Sequence, residues 1–561
     1  MSEILSTRTT SPFFLKPLLA LELLFLLLLP LRAQRSAVAA DEPLAAKVGQ
    51  AILEKGGNAV DAAVAVGLAL AVTYPQAGNL GGGGFMMGKM MGKEPFFLDF
   101  REVAPRLFRK EVFFDDKGNF LPEVAQIGAK AVGVPGTVKG LYRAWKEQGT
   151  LPWKDLVQPA IDLASQGFIV RPYFAEFLKE HKNLLERFPE SRRILLKGGE
   201  GYLPGERLLQ PELAETLKRI AERGADGFYL GETAERIERS VRLHGGWIDR
   251  KDLELYKEVY RPVIELDYQG FRIFLPSLPS SGGAVIAQSL LLLDCFPKNL
   301  PQPQRLSLLA EVMKLTFLER SRSMGDPGFA SLPTRAYLSP KYAAAKASLI
   351  TPGKPAKIEP SAVPTPWSYE KEETTHYSVL DKNGNMVAVT YTLNGYFGSG
   401  LILEETGLIM NNEIDDFGFA QGVANQFGLL TSRFNLPEPG KRMLSSMSPV
   451  LVTRGETPYL AAGAAGGPKI ISGVLNLLIN LFHRGMGLKE ALEAPKIHHQ
   501  CFPDTLYLEK SFDEKTEQEL KALGYKTERI ANIGVLNAVL FDGERAQAAG
   551  SPYRFGGAYA F

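Results

Sequence analysis

The stretch TTHYSVLDKNGNMVAVTYTLNGYFG, residues 374–398, contains the pattern that decides the fold. Two strand-like runs, the second with clear period-2 alternation, flank a turn at residues 382–385 and predict a β-hairpin. Residues 339–373, which precede the hairpin, are rich in Pro, Ser, Lys and Glu and show little apolar periodicity. That composition predicts an exposed linker, so we expect Thr374 to begin a strand where the linker ends.

Thr374 could act as a nucleophile if the chain were cut directly before it. The cut would release an α-amine, and an α-amine titrates near about pH 8, much closer to neutrality than a lysine. The amine could then accept the proton of the threonine's own hydroxyl. The position of Thr374 is therefore compatible with one residue supplying both the nucleophile and its base.

The rest of the chain alternates helical and extended patterns. Residues 36–40 predict an opening strand, and residues 43–71 predict two helices separated by Gly56-Gly57, with Asn58 as the cap of the second. Further expected elements are a helical region over 133–268, a helix opened by the PSSGG motif at 279–283, an extended segment over 401–410, an apolar helix over 470–488 and strands over 534–561. This alternation predicts a layered α/β sandwich.

Composition excludes several classes of protein. The chain has 561 residues, of which 45% are apolar and 22% charged, as in an ordinary soluble globular protein. The net charge is only +2, without a basic stripe interleaved with aromatic residues, so we expect no nucleic-acid partner. Cys295 and Cys501 are the only cysteines, which excludes a cysteine-built metal cluster; we expect two unpaired, buried thiols.

The N-terminus predicts export. Arg8 and Lys16 precede an apolar stretch over residues 18–29 that only Glu22 interrupts, and small residues follow from Ala33 onward. This is typical of a signal segment, here residues 1–33, removed near Ala33 to release the protein into the periplasm or the medium. The alternative is an uncleaved membrane anchor. With a signal segment, contact with the membrane is only transient.

The motif at residues 374–398 resembles the signature of the γ-glutamyltranspeptidase family. In that family Thr-small-His-x-Ser is followed by Gly-Asn-x-Val-Ala-x-Thr-x-Thr-Leu-Asn and then by an aromatic-Gly pair, and this sequence has every one of these elements. The resemblance extends over nearly the whole chain after the signal segment, through the motifs GGNAVDAAVAV, AVTYPQAGNLGGGGFM, DFREVAP, PSSGG, NNEIDDF, LSSMSP and RFGGA.

The resemblance implies an α+β fold, the four-layer αββα sandwich of N-terminal-nucleophile hydrolases with two central antiparallel sheets. It also implies self-cleavage between Glu373 and Thr374, giving a large subunit of residues 34–373 and a small one of residues 374–561 that remain together as a heterodimer. The implied activity is transfer and hydrolysis of γ-glutamyl groups from glutathione and related compounds, through an ester on Thr374, to water or to an amino acid or dipeptide. No cofactor and no metal are implied.

The same resemblance implies roles for the site residues. Thr392 would hydrogen-bond the nucleophile, and Gly466 and Gly467 would donate backbone N–H groups to the oxyanion. The residues implied to hold the substrate are Asn394, Glu413 and Asp416 for the glutamyl α-amino group, and Arg101, Ser445 and Ser446 for its α-carboxylate. A zwitterionic ligand does require carboxylates on one side and a bidentate cation with hydroxyls on the other.

Each of these residues also has a purely structural interpretation. Arg101 could form a structural ion pair, Asp415 and Asp416 could lie in a solvated turn, and Ser445 and Ser446 could cap a helix.

Two other functions also remain open. An acylase of the same fold would cleave β-lactam side chains or poly-γ-glutamate, and an exported binding protein would have no catalytic activity and would stay uncut.

Phe427 is a departure from the family pattern. It lies in the loop at residues 418–440, which in many relatives covers the pocket, and bacterial relatives often have there a tyrosine that hydrogen-bonds the pocket asparagine. Phenylalanine keeps the apolar cover but lacks the hydroxyl, so our hypothesis is a more loosely held lid. We expect Phe427→Tyr to change the measured rates of γ-glutamyl transfer and hydrolysis; unchanged rates would contradict the hypothesis.

Overall fold

The computed structural model describes residues 35–356, 374–419, 424–430, 432–552 and 556–561. The expected signal segment, residues 1–33, and Glu373 lie outside the described residues. No helix in the described ranges has the length and apolar character needed to cross a membrane.

Eighteen strands are described. They are β1 Ala37–Ala40, β2 Gly83–Lys89, β3 Phe96–Asp99, β4 Phe168–Ile169, β5 Arg207–Leu208, β6 Val259–Arg261, β7 Val263–Tyr268, β8 Phe271–Pro276, β9 Thr375–Leu380, β10 Met386–Thr392, β11 Val450–Arg454, β12 Thr457–Ala465, β13 Ile497–His498, β14 Leu506–Glu509, β15 Thr527–Ile530, β16 Val535–Phe541, β17 Ala546–Gly550 and β18 Gly557–Ala560.

The α-helices that flank them lie mostly before the hairpin. They are α1 Pro43–Glu54, α2 Ala59–Thr73, α3 Pro122–Gln126, α4 Thr137–Gln148, α5 Trp153–Gln166, α6 Pro172–Glu180, α7 Lys182–Leu185, α8 Pro189–Leu195, α9 Pro211–Arg223, α10 Asp226–Tyr229, α11 Gly231–Leu243, α12 Arg250–Leu255, α13 Ser281–Leu293, α14 Gln302–Ser323, α15 Thr334–Tyr337, α16 Pro340–Ala347, α17 Lys469–Phe482, α18 Leu488–Glu493 and α19 Glu514–Ala522.

Two antiparallel sheets form the centre of the fold. The first has seven strands in the order β18-β1-β9-β10-β2-β3-β6, and the second has six in the order β17-β16-β12-β11-β8-β7. Strands β9 and β10 of the first sheet pack against β12 of the second, while α2 covers the outer face of the first sheet and α13 and α17 cover that of the second. The expected four-layer αββα sandwich is confirmed.

The hairpin forms where the sequence predicts it. Strands β9 and β10 pair from Leu380 opposite Met386 to Thr375 opposite Tyr391. In the turn, Asp381 Oδ1 accepts hydrogen bonds from the backbone N–H groups of Asn383, at 2.9 Å, and Asn385, at 3.0 Å. A side-chain acceptor of this kind closes a turn locally, which is why the Asp-Lys-Asn-Gly-Asn sequence ends the strand.

The two helices near the N-terminus also follow their local signals. Asn58 caps α2 by accepting from the N–H groups of Val60 and Asp61, and the Asp61 carboxylate accepts from the Asn58 N–H at 2.9 Å. This reciprocal arrangement is a capping box. Every residue of α2 is buried, so its small side chains pack directly against the first sheet.

The linker predicted over residues 339–373 is wrong for its first part. Residues 340–347 form helix α16, because Ser339 Oγ accepts the Tyr342 N–H at 3.2 Å and Ala343 and Ala347 bury one face. Further on, the Ala356 N–H donates to Glu311 Oε2 at 3.0 Å and Lys314 Nζ donates to the Ala356 carbonyl at 2.6 Å. Tertiary contacts thus fix a segment that its composition suggests is exposed.

Smaller predictions also need correction. Residues 401–410 form only isolated bridges, such as Ile402 with Ile409, and not a strand. The apolar helix expected over 470–488 ends at Phe482. Both cysteines are unpaired, but Cys295 is exposed, because it follows the last turn of α13 at the surface; only Cys501 is buried.

Candidate active site

A small cavity lies where β9 begins and β10 ends. Nine of the ten site residues named from the sequence line it, and the tenth, Gly466, precedes one of the nine in the chain. Its walls are Arg101, Thr374, Thr392, Asn394, Glu413, Asp416, Phe427, Leu429, Ser445, Ser446, Met447, Gly467 and Ile470. The fold therefore brings together residues from five separate parts of the sequence.

Thr374 is buried at the wall of this cavity, immediately before β9. Because Tyr391 pairs with Thr375, the continued register places Thr392 beside Thr374. The first residues of β9 are anchored by Asp41, whose Oδ2 accepts from Thr375 Oγ1 at 2.9 Å. This anchor fixes the backbone one residue away from Thr374.

The glycine run at residues 81–84 lets the backbone approach Thr392 closely. A Cβ on Gly82 would overlap the Thr392 carbonyl oxygen, and one on Gly84 would overlap the Tyr391 side chain. Any larger residue would push β2 away from β10. The run thus has a packing role next to the cavity, as its lack of a Lys-Ser/Thr pair suggests.

Gly466 and Gly467 form the turn between β12 and α17. Both have positive φ angles, 128° and 50°, which side chains disfavour. Their carbonyls accept from the N–H groups of Lys469 and Ile470, at 3.0 and 3.2 Å, and so cap the start of α17. Gly467 lines the cavity, and a Cβ there would press against the Phe427 ring.

Arg101 is buried and held between carboxylates. Its Nη1 forms a hydrogen-bonded ion pair with Glu413, and its Nη2 contacts Asp416 Oδ2 at 2.5 Å. Glu102 Oε2 lies 3.8 Å from Nη1. The family resemblance predicts Arg101, Glu413 and Asp416 as site residues. It does not predict that Arg101 directly contacts the two acids. The structural ion pair given above as an alternative role for Arg101 is therefore present, and it lies inside the cavity.

Three buried carboxyl groups surround the guanidinium of Arg101. Burial favours the neutral form of Arg101, but the charges of Glu413, Asp416 and Glu102 outweigh it and raise the pKa of the guanidinium. Burial raises the pKa of the carboxyls of Glu413 and Asp416, against the effect of Arg101. Burial also raises the pKa of Glu102 to about 7. Three buried carboxyls therefore form ion pairs with the same cation, Arg101.

Asp415 and Asp416 are buried or nearly so, which excludes the solvated turn. They hold the loop that follows: Asn425 Nδ2 donates to Asp416 Oδ1 and the Gln426 N–H to Asp415 Oδ2, both at 2.9 Å. Burial raises the pKa of Asp415 to about 7. Phe427 is buried between this loop and Gly467.

Asn394 also lines the cavity and has a positive φ of 71°. Its N–H donates to Thr392 Oγ1 at 2.8 Å, and its side-chain Nδ2 donates to the Asn412 carbonyl at 3.1 Å. The left-handed conformation, which asparagine tolerates better than most residues, turns the chain sharply after β10.

Ser445 and Ser446 lie in an extended segment that pairs with the PSSGG motif, which excludes a capping role at a following helix. The Ser445 N–H donates to the Pro279 carbonyl at 2.9 Å, and Ser281 Oγ donates to the Ser445 carbonyl at 2.6 Å. Ser446 Oγ accepts from Arg320 Nη2 at 3.5 Å. Helix α13 thus begins against the segment that brings both serines to the cavity.

His376 has no part in the cavity. Its ring contacts Thr390 Oγ1 and Ser378 Oγ, each at 2.8 Å, and burial lowers its pKa to about 3. A Cβ on Gly463 would overlap the ring, which therefore fills the space between the two sheets. His376 is therefore a core histidine.

Sequence reasoning missed Asp41, Glu102 and Arg320, and also the apolar wall of Leu429, Met447 and Ile470. A polar residue directly after a strand, such as Asp41, is a signal that could have been followed. The other two become visible only when distant segments meet. Within the described residues, no group of three or more His, Cys, Asp or Glu is arranged to hold a metal ion.

The family model and the relatives that match this sequence indicate the same family. The family model for gamma-glutamyltranspeptidase matches residues 45–561. The glutathione hydrolase proenzyme of Escherichia coli K12 is 41% identical over 529 residues, covering 92% of this chain and 90% of that protein.

Solved structures extend the comparison to the fold. The cephalosporin acylase from Bacillus halodurans has a TM-score of 0.82 at 26% identity, covering 94% of this chain and 96% of its own. The Helicobacter pylori gamma-glutamyltranspeptidase structure has a TM-score of 0.55 at 38% identity, covering 57% of this chain and 92% of its own.

Proposed function

This chain belongs to the γ-glutamyltranspeptidase family, and from that premise we propose that it transfers and hydrolyses γ-glutamyl groups of glutathione and related compounds. The observation that carries the proposal is the cavity in which Arg101, two acids and two serines surround Thr374. This cavity has the charges needed to bind a zwitterion, and it also contains the Thr374 hydroxyl at the start of a strand.

The charges of the cavity suit a γ-glutamyl head group. Without ligand, Arg101 is satisfied by Glu413 and Asp416, while Glu102 adds a further buried carboxyl. The substrate ammonium would lie among Asn394, Glu413 and Asp416 and would neutralise part of the negative charge there. The substrate α-carboxylate would contact Arg101, Ser445 and Ser446. Binding would thus replace internal ion pairs of Arg101 by ion pairs that include the substrate.

Catalysis would proceed in two steps on Thr374. The Oγ attacks the γ-carbonyl carbon while its proton moves to the α-amine, and the oxyanion is stabilised by the N–H groups of Gly466 and Gly467. The proton then passes to the leaving amine as the C–N bond breaks, leaving a γ-glutamyl ester. Water or an acceptor amine attacks this ester, returns the hydroxyl to Thr374, and releases glutamate or a new γ-glutamyl amide. Thr392 would orient Thr374 in both steps.

We further propose that the chain cuts itself between Glu373 and Thr374 and works as a heterodimer of residues 34–373 and 374–561. The relative in E. coli is named a proenzyme. The H. pylori chain matches over 92% of its own length yet covers only 57% of this chain, as expected of one cleaved piece. The signal-like N-terminus supports export to the periplasm or medium.

An acylase acting on other side chains is the second candidate, because the cephalosporin acylase structure matches nearly the whole chain. A glutaryl amide lacks the α-ammonium, so it would leave the acids Glu413 and Asp416 without a ligand cation. We therefore expect γ-glutamyl anilide to be the better substrate. Preferred turnover of a glutaryl anilide would favour the acylase instead.

The proposal is tested on the purified protein in two measurements. We expect two bands on a denaturing gel, with an N-terminal sequence starting at Thr374 for the smaller one. We also expect γ-glutamyl anilide to release free aniline faster when glycylglycine is added, because an amine captures the ester. A single intact band without turnover would indicate a non-catalytic binding protein.

A further inference from the structure

Arg320, on helix α14, is a second buried arginine beside the cavity. It is 4% exposed, and its side chain donates to two hydroxyl oxygens: Nε to Ser281 Oγ at 2.9 Å and Nη2 to Ser446 Oγ at 3.5 Å. In the described part of the chain it forms no ion pair with a carboxylate. Its neighbour Arg101, by contrast, forms ion pairs with Glu102, Glu413 and Asp416.

A buried guanidinium paired only with hydroxyls is costly. Burial lowers the pKa of Arg320 to about 10; the charge of Asp416 works against this effect and that of Arg101 adds to it. Buried charges in proteins are normally paired with a group of opposite charge. The cavity beyond Ser446 is the place where an anion would arrive.

The hydrogen bonds connect Arg320 to both serines of the cavity. Because Arg320 donates to Ser446 Oγ, the Ser446 hydroxyl proton must point elsewhere, and Ser446 lines the cavity. Because Arg320 also donates to Ser281 Oγ, the Ser281 proton is directed to the Ser445 carbonyl, at 2.6 Å. One guanidinium thus orients the segment from two sides.

We propose that Arg320 is a positioning residue for the substrate's α-carboxylate: it orients Ser446 directly and Ser445 through Ser281, and it supplies the positive charge that this carboxylate compensates. The inference rests on the proposed γ-glutamyl function and adds a specificity determinant to it. Arg101 then contacts the carboxylate directly, while Arg320 acts through the hydroxyls. The segment 443–446 links the two arginines, because Arg101 donates to the carbonyls of Met443 and Leu444 and Arg320 donates to Ser446 Oγ.

The test compares two donors in the cut enzyme. One is γ-glutamyl anilide, and the other is 4-aminobutanoyl anilide, which keeps the amino group but lacks the α-carboxylate. For Arg320→Gln we expect KM for γ-glutamyl anilide to rise about 10- to 100-fold, as for loss of a charged hydrogen-bond partner. The rates with 4-aminobutanoyl anilide should change by less than about threefold, because this donor has nothing for Arg320 to compensate.

Two further variants complete the test. Arg320→Lys keeps the charge but cannot contact both serines with fixed geometry, so its KM should lie between those of wild type and Arg320→Gln. Arg322→Gln, at an exposed position of the same helix, should leave both donors unaffected. A purely structural role would instead reduce turnover of both donors equally.

The outcomes separate this inference from the function on which it rests. If the unmodified protein fails to turn over γ-glutamyl anilide, the proposed function is wrong. If it does turn over this donor, but Arg320→Gln and Arg320→Lys keep the wild-type preference for γ-glutamyl over 4-aminobutanoyl anilide, only the role of Arg320 is overturned. Should Arg320→Gln fail to fold, the Arg320→Lys variant alone decides in the same way.

Discussion

Replacing Thr374 by alanine is expected to give one uncut chain without measurable γ-glutamyl turnover. The substitution removes the only hydroxyl that the proposed mechanism uses for self-cleavage and for ester formation. Loss of a nucleophile lowers kcat by about 10³-fold or more in enzymes of this kind. A denaturing gel and intact-protein mass spectrometry measure the cut, and release of aniline from γ-glutamyl anilide measures the activity.

Thr374→Ser is the matched control, because it keeps the hydroxyl and, after cutting, the α-amine. We expect it to be cut, more slowly than the wild type, and to retain part of the activity. Two fragments from Thr374→Ala with the same junction, or an acyl group trapped on a different residue, would show that another residue is the nucleophile.

Arg101→Gln should lower kcat/KM for γ-glutamyl anilide by at least about 100-fold, as for truncation of one partner of a buried charge pair. The same change leaves Glu413 and Asp416 buried without their cation, since both contact Arg101 directly. We therefore also expect a loss of about 3–5 kcal/mol in the free energy of unfolding, measured by urea denaturation. Arg101→Lys should lose less stability but still bind poorly, because an ammonium cannot bridge the two acids.

Arg106→Gln provides the control for removal of an arginine. Arg106 pairs with Asp249 at 2.9 Å, but its side chain is 42% exposed. An exposed pair contributes at most about 1 kcal/mol, so activity should not change. A kcat/KM of Arg101→Gln within about threefold of the wild type would contradict the assignment of Arg101 to the substrate carboxylate.

Local signals explain what the sequence predicts correctly. The hairpin follows from strand alternation around a turn that Asp381 closes, and α2 follows from the cap formed by Asn58 and Asp61. Both depend on residues at most four positions apart. The four layers and the cavity residues follow instead from the family resemblance, which places distant segments that no local pattern connects.

Contacts between distant segments explain what is missed. Arg101 meets Glu413 across more than 300 residues, and Arg320 meets Ser446 across more than 100. Residues 340–356 have the composition of a linker, yet Glu311 and Lys314 hold both backbone groups of Ala356. Neither spacing nor composition reveals which buried side chains will face one another.

The strand order determines whether folding or the proposed cleavage of the chain must come first. In the first sheet β1 lies between β18 and β9, and in the second β8 lies beside β11, so each sheet mixes strands from before and after Thr374. Neither half could complete a sheet alone, and each would present unpaired strand edges that promote aggregation. If the chain is cut as proposed, folding must therefore come before scission, and we expect the two halves synthesised as separate polypeptides to assemble inefficiently.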